Sequence, residues 1–173
     1  MTTPWQLGNM ASSKRATELS AEMAVELIKK AKNPLLVVGP QAFETKVGNE
    51  VLADVLVKLG GSIPVVATAH ALKGFMERGF NKVASIGIVD LTNKLVDPTW
   101  SLAGNGHHDL VLFSGIQYPL LSQMLSTLKH FSANMKTISL DRFFQPNADW
   151  SFPNFAEKRW ESEILKVLTE LKK

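Results

Sequence analysis

Six residues of this chain stand where a parallel sheet would build a binding site: Gly39, Pro40, Thr68, Ser114, Gly115 and Asp141. Each follows directly on a run rich in strand-forming apolar residues. The run at 35–38 (LLVV) passes into Gly39-Pro40, and that at 63–67 (IPVVA) into Thr68. The run at 109–113 (DLVLF) passes into Ser114-Gly115, and that at 136–140 (KTISL) into Asp141. A strand apolar on both faces belongs inside a parallel sheet covered by helices on each side. Such sheets hold ligands beyond their carboxyl ends. Two chemistries suit the row, which His70 and Gln117 would join. It could hydrogen-bond a ligand, with backbone amides and helix N-termini taking phosphate. It could equally cap the following helices, since Ser114 and Thr68 are natural N-cap types.

The row contains no reactive constellation. After Val38 the chain reads Gly39-Pro40-Gln41-Ala42-Phe43, so the G-x-G-x-x-G dinucleotide fingerprint is absent. Both a plain strand-to-helix turn and an unconventional dinucleotide site remain open there. Ser114 lacks the Gly-x-Ser-x-Gly elbow, and no base pairs with it, which argues against hydrolase chemistry. His107 and His108 are adjacent and point apart on any regular element, so they suit a turn or an interface better than a metal. His70 and His130 stand alone and read as structural. The chain has no Cys, which excludes disulfides, thiolate-held iron–sulfur clusters and cysteine nucleophiles.

The net charge is +3, and the basic residues are scattered rather than striped, so no nucleic-acid partner is expected. No run approaches the roughly 20 apolar residues of a membrane span. The N-terminus carries no apolar core of signal-peptide length, and the expected setting is the cytoplasm.

The positioning elements follow from periodicity. A helix capped by Ser20 carries Leu19, Met23, Leu27 and Ala24, Ile28, Ala31 as its stripe, with Lys29, Lys30 and Lys32 at its carboxyl end. A second helix is expected from Val47 through Val51, Leu52, Val55 and Leu56 to Leu59, ended by Gly60-Gly61. Short helices are expected over 69–78 and 89–96, with a third strand at 82–86. Leu120, Leu121, Met124, Leu125 and Leu128 mark another helix; Trp160, Ile164, Leu168 and Leu171 mark the last. Strand and helix alternate, which predicts an α/β fold with a doubly wound, mainly parallel sheet in three layers. Residues 1–17 read as an N-terminal arm and 18–173 as one domain. Two aromatic features are left over: Trp5 in the arm, and the loop at 142–155 with Phe143, Phe144, Trp150, Phe152 and Phe155. That loop is either a satellite core or a protein contact. Trp5, Phe143, Phe144 and Trp150 are the candidate partner contacts.

These segments together resemble a known family. The stretches 33–41 (NPLLVVGPQ), 63–74 (IPVVATAHALKG) and 109–115 (DLVLFSG) look like the middle domain of thiamine-diphosphate enzymes, which has a deoxyhypusine-synthase-like, Rossmann-like NAD/FAD-binding fold. The whole chain is similar to the epsilon subunits of the archaeal carbon monoxide dehydrogenase/acetyl-CoA decarbonylase–synthase complex. The arm with Trp5 and 12–15, the Gly39-Pro40 turn, Thr68-Ala69-His70, the segment 104–108 and the loop 143–150 carry that likeness. The resemblance implies a noncatalytic subunit paired with a large alpha subunit, two of each, in a larger multienzyme complex. Nickel–iron–sulfur centres would lie only in the alpha subunit, which interconverts CO and CO2 with ferredoxin-type electron transfer. That chemistry serves methanogenesis from acetate and carbon fixation. The small subunit would stabilise alpha or help electrons reach a flavin, and the resemblance leaves FAD or NAD binding at Gly39, Pro40, Thr68, Ser114, Gly115 and Asp141 as its alternative role.

Overall fold

In a computed structural model the described residues are 15–61, 63–68, 71–102, 104, 106–132 and 134–171. Seven strands form one sheet: β1 (Thr17–Glu18), β2 (Pro34–Val38), β5 (Val65–Ala67), β6 (Val83–Ser85), β7 (Leu110–Ser114), β8 (Lys136–Ser139) and β9 (Trp150–Ser151). Every neighbouring pair is parallel. The order across the sheet is β6-β5-β2-β7-β8-β9-β1. If the six strands after β1 are numbered along the chain, this reads 3-2-1-4-5-6, the order of dinucleotide-binding domains. The direction of winding reverses between β2 and β7, at Gly39 and Ser114-Gly115.

The doubly wound expectation is therefore met, and its cause is visible in the strand residues. Leu36 and Val38 face one layer, formed by α1 (Ala21–Lys30), α2 (Leu52–Gly60), α3 (Ala71–Glu77) and α6 (Glu157–Leu171). Leu35 and Val37 face the other, with α4 (Ile88–Val96) and α5 (Tyr118–Phe131). All four side chains are fully buried, so each of the four contributes on the order of 2 kcal/mol of apolar burial.

Ser20 caps α1 as expected, accepting the amide of Met23 at 3.2 Å. The second helix is shorter than its apolar stripe suggests. A two-stranded hairpin, β3 (Lys46–Val47) with β4 (Glu50–Val51), precedes it, and α2 starts at Leu52. Val47-Gly48-Asn49-Glu50 is turn chemistry, and Gly48 adopts φ 60°, a conformation that breaks a helix. Residue 17, assigned above to an arm, lies in β1, and Ala16 beside it is buried. Residues 1–14, with Trp5, lie outside the described part, as does His70.

The aromatic loop divides its residues between core and surface. Phe152 and Phe155 join the core against Trp160, whereas Phe143 stays half exposed at 52%. Three hydrogen bonds fix the loop: Tyr118 Oη donates to the Phe144 carbonyl (3.0 Å), the Phe144 amide to Asn154 Oδ1 (2.9 Å), and the Gln145 amide to Ser151 Oγ (3.0 Å).

Candidate functional site

The end of β2 is closed by its own backbone. The Gly39 amide donates to the Ser114 carbonyl at 2.9 Å and the Gln41 amide to the Gly115 carbonyl at 2.9 Å. The Ala42 amide turns back to the Gly39 carbonyl at 3.2 Å, and Pro40 has no N–H. Only a four-residue 3-10 turn, Pro40–Phe43, stands where a dinucleotide domain has a long helix. The glycines serve this closure. A Cβ on Gly39 would overlap the Gly115 carbonyl, and one on Gly115, whose φ is 71°, would lie 2.6 Å from the Ala42 nitrogen. The four backbone positions that would cradle a pyrophosphate have no donor left, so they do not fit FAD or NAD bound in the usual way. The amino end of α2 offers no replacement, because Asp54 in its first turn faces the Val51 amide at 3.4 Å.

Asp141 staples the two neighbouring strand ends. Its Oδ1 accepts the Gly115 amide at 2.7 Å and the Ser114 hydroxyl at 3.2 Å. The helix-cap reading of Ser114 is thus not realised: its hydroxyl serves Asp141, and α5 begins after Gln117, which makes no side-chain cap. Burial dominates the carboxyl's energetics. It raises the Asp141 pKa to about 6, against the opposing pull of the two hydrogen bonds. Thr68 is buried as well, with its hydroxyl 3.4 Å from the Val38 carbonyl.

A pocket of about 260 Å³ opens beside Asp141, past the ends of β7 and β8. Gly115 and Asp141 line it; the other four residues of the expected row do not. Sequence reasoning missed the rest of its wall: Gln41, Thr45, Leu52, Ile116, Tyr118, Arg142, Gln145, Glu157 and Trp160, with the half-exposed Phe143. These come from five separate segments, so no local spacing announces them. The one available signal was the Asp141-Arg142 pair directly after a core strand. Trp160 of α6 fixes this corner by donating Nε1–H to the Leu140 carbonyl at 2.9 Å. Arg142 stacks over Phe143 at 4.8 Å and pairs loosely with Glu157 at 3.6 Å.

A second, shallower groove adjoins the pocket and shares Tyr118 and Phe143 with it. It adds Arg15, Phe144, Pro146 and Asn154. Arg15 lies 5.8 Å from the Phe144 ring. Phe143 and Phe144, expected as partner contacts, are therefore brought together on one face. Trp150 is not: it sits half-buried in β9 and lines a separate cleft with Lys129 and Lys136.

The histidine pair is structural at His108. That side chain is buried, with Nδ1 3.0 Å from the Asn33 carbonyl and Nε2 accepting the Leu102 amide at 3.3 Å. The partners require the neutral Nδ1–H tautomer, and desolvation lowers the pKa accordingly. Among the described residues no cluster of three or more His, Asp or Glu could hold a metal, and no helix is long and apolar enough to cross a membrane.

A sheet in dinucleotide-domain order whose phosphate corner is sealed from within defines an α/β protein of nucleotide-binding architecture with its usual site shut. The family model described as CO dehydrogenase beta subunit/acetyl-CoA synthase epsilon subunit matches residues 1–171, and the chain belongs to that family. It is 40% identical over 168 residues to the acetyl-CoA decarbonylase/synthase complex subunit epsilon of Methanothermobacter thermautotrophicus, covering 96% of this chain and 95% of that one. The subunit of the same name from Methanothrix soehngenii is 37% identical over 175 residues, 98% of this chain and 91% of its own. Subunit epsilon 1 of Archaeoglobus fulgidus is 36% identical over 172 residues, with 96% and 91% covered.

Proposed function

We propose that this chain is a noncatalytic accessory subunit that docks on the catalytic alpha subunit of a carbon monoxide dehydrogenase component. Two of each associate within a larger acetyl-CoA decarbonylase/synthase complex in the cytoplasm. The relatives are named as subunits of such a complex, which supports the setting. The observation that carries the docking role is the face formed by Tyr118, Phe143 and Phe144 with Arg15. Tyr118 is 43% exposed and Phe143 52% exposed, although hydrogen bonds from Tyr118, Asn154 and Ser151 anchor the loop. Rigid, exposed aromatics beside arginine have the composition of an interface centre. The nickel–iron–sulfur chemistry belongs to the partner, since this chain has no Cys to hold a cluster. Its contribution is to stabilise the alpha subunit. An electron-transfer role with FAD is the weaker reading, because the β2 corner has no amides to give a pyrophosphate.

Anaerobic co-expression with the alpha subunit tests the proposal. Native mass spectrometry should show equal numbers of the two chains, and the alpha subunit should lose thermal stability without this one. Separate elution of the two chains, with unchanged stability of alpha, overturns it.

A further inference from the structure

Asp141 is a carboxylate without a counter-ion. Burial pushes its pKa up to about 6, and only the Gly115 amide and the Ser114 hydroxyl oppose that shift. Among the described residues no Lys, Arg or His forms an ion pair with it. Arg142, the next residue, is engaged elsewhere. Its guanidinium lies over the Phe143 ring at 4.8 Å, and Nη1 is 3.6 Å from Glu157 Oε2. A desolvated charge ordinarily has a partner, and an uncompensated one is costly. This carboxyl is not sealed in the core, for it lies on the wall of the cavity of about 260 Å³. That cavity shares Tyr118 and Phe143 with the aromatic groove. The compensating charge therefore has a route from outside the chain, through the face that carries the docking reading.

We infer that the pocket receives one lysine side chain of the docking partner, its ammonium set against the Asp141 carboxylate. Charge, shape and coordination select that occupant. The wall carries two carboxyl groups, Asp141 and Glu157, against the single Arg142 that Glu157 already faces, so the cavity is negative and fits a cation. Leu52, Ile116 and Trp160 form apolar walls, which suit the four-carbon stem of a lysine below its charged head. The rings of Tyr118 and Phe143 beside it also attract a cation. The volume lies below the roughly 300–1,000 Å³ of drug-sized sites, so there is room for one side chain and not for a cofactor. Asp141 Oδ1 already accepts two hydrogen bonds, so the carboxylate is poorly placed for the parallel pair of bonds by which a guanidinium grips. A compact ammonium needs one oxygen. The inference rests on the docking reading and adds to it the chemistry of the partner's anchor.

Docking is then coupled to protonation at one group. An ammonium beside the carboxylate favours the ionised form and lowers the raised pKa. The other titratable or charged groups facing the pocket are Arg142 of the loop, Glu157 of α6 and the Tyr118 phenol of α5, and Asp141→Asn separates the Asp141 contribution from theirs. Asn keeps the Oδ1 acceptor for Ser114 and Gly115 and removes the charge. The test is the affinity of the full-length chain for the alpha subunit between pH 5 and pH 7.5, measured anaerobically by calorimetry in two buffers of different ionisation enthalpy. The parent should bind about tenfold more weakly at pH 5 than at pH 7.5 and release about half a proton per subunit at pH 6. Asp141→Asn should bind about tenfold or more weaker than the parent at pH 7.5, with the proton release and the pH slope lost. Glu77→Gln, which removes an exposed carboxyl from α3 outside the pocket, should behave as the parent. Circular dichroism checks that each variant is folded. An Asp141→Asn subunit with parental affinity, or with the parental pH slope, overturns this inference and leaves the docking reading standing. A parent that fails to bind the alpha subunit at any pH overturns both.

Discussion

Asp141 costs the folded protein stability at neutral pH. Its carboxyl is desolvated, and the two hydrogen bonds to Oδ1 recover only part of the loss. The sign follows from the raised pKa: the folded state binds the proton more tightly than the unfolded one. The favourable contribution is complete below the ordinary carboxylate value near 3.8 and is lost as pH rises through about 6. Asp141→Asn should therefore stabilise the protein by about 2 kcal/mol at pH 7 and by little at pH 4, measured by denaturant unfolding at both values. Equal effects at both would mean the carboxyl is solvated. His108 has the opposite slope. Its lowered pKa makes the unfolded state the better proton binder, so its contribution is present above about 6.5 and declines as pH falls below it. Replacing His108 by Gln should flatten the stability profile between neutral pH and pH 5. The residue scale was the least legible in the sequence. Ser114 and Asp141 were both placed at strand ends, but the bond between them joins residues 27 apart and is invisible to local pattern. His108 suggested a turn or interface, and nothing near it in sequence announced Asn33 as its partner.

At the scale of elements, the turn after β2 shows one sequence feature serving a purpose other than the one it suggests. Glycine at the end of a core strand signals close approach of something, and the close approach is to the chain itself. Gly39 and Gly115 let two strand-end loops exchange hydrogen bonds at contact distance. Gly39→Ala would press a methyl group into the Gly115 carbonyl, backbone against backbone, where no side chain can give way. The expected cost is about 3 kcal/mol or more, read as a lowered unfolding midpoint, whereas Gly87→Ala, with open space around its Cβ, should cost little. The buried strands were readable because an unbroken apolar run has few other places to go. The hairpin before α2 was not. Val47 and Val51 fall in register with the helix behind them, and that stripe masks the Gly48-Asn49 turn, whose positive φ at Gly48 keeps the helix from starting there. β9 was missed for a related reason: two residues carry no periodicity, and their strand exists only because β8 and β1 flank it.

At the scale of the molecule, what remains is a distribution of exposed apolar groups. Most of the large hydrophobics left outside are single, such as Met76, Val89 and Phe131, and single exposed residues carry no message. Tyr118 and Phe143 differ because they share a groove with Phe144 and Arg15, Tyr118 standing at the start of α5 and Phe143 on a loop that hydrogen bonds hold in place. A rigid surface loses little conformational freedom when a partner covers it. The double substitution Tyr118→Ser with Phe143→Ser removes apolar contact without touching the core, because both rings are half exposed. Thermal stability of the isolated chain should stay within about 1 kcal/mol of the parent, Tyr118 giving up only its exposed bond to the Phe144 carbonyl. Affinity for the alpha subunit should fall by roughly 100-fold, the loss expected when two anchors at an interface centre are truncated. Phe131→Ser, on a ring 69% exposed at the end of α5 and outside the groove, should leave association unchanged. If the two variants weaken association equally, or neither does, the docking face lies elsewhere on the molecule.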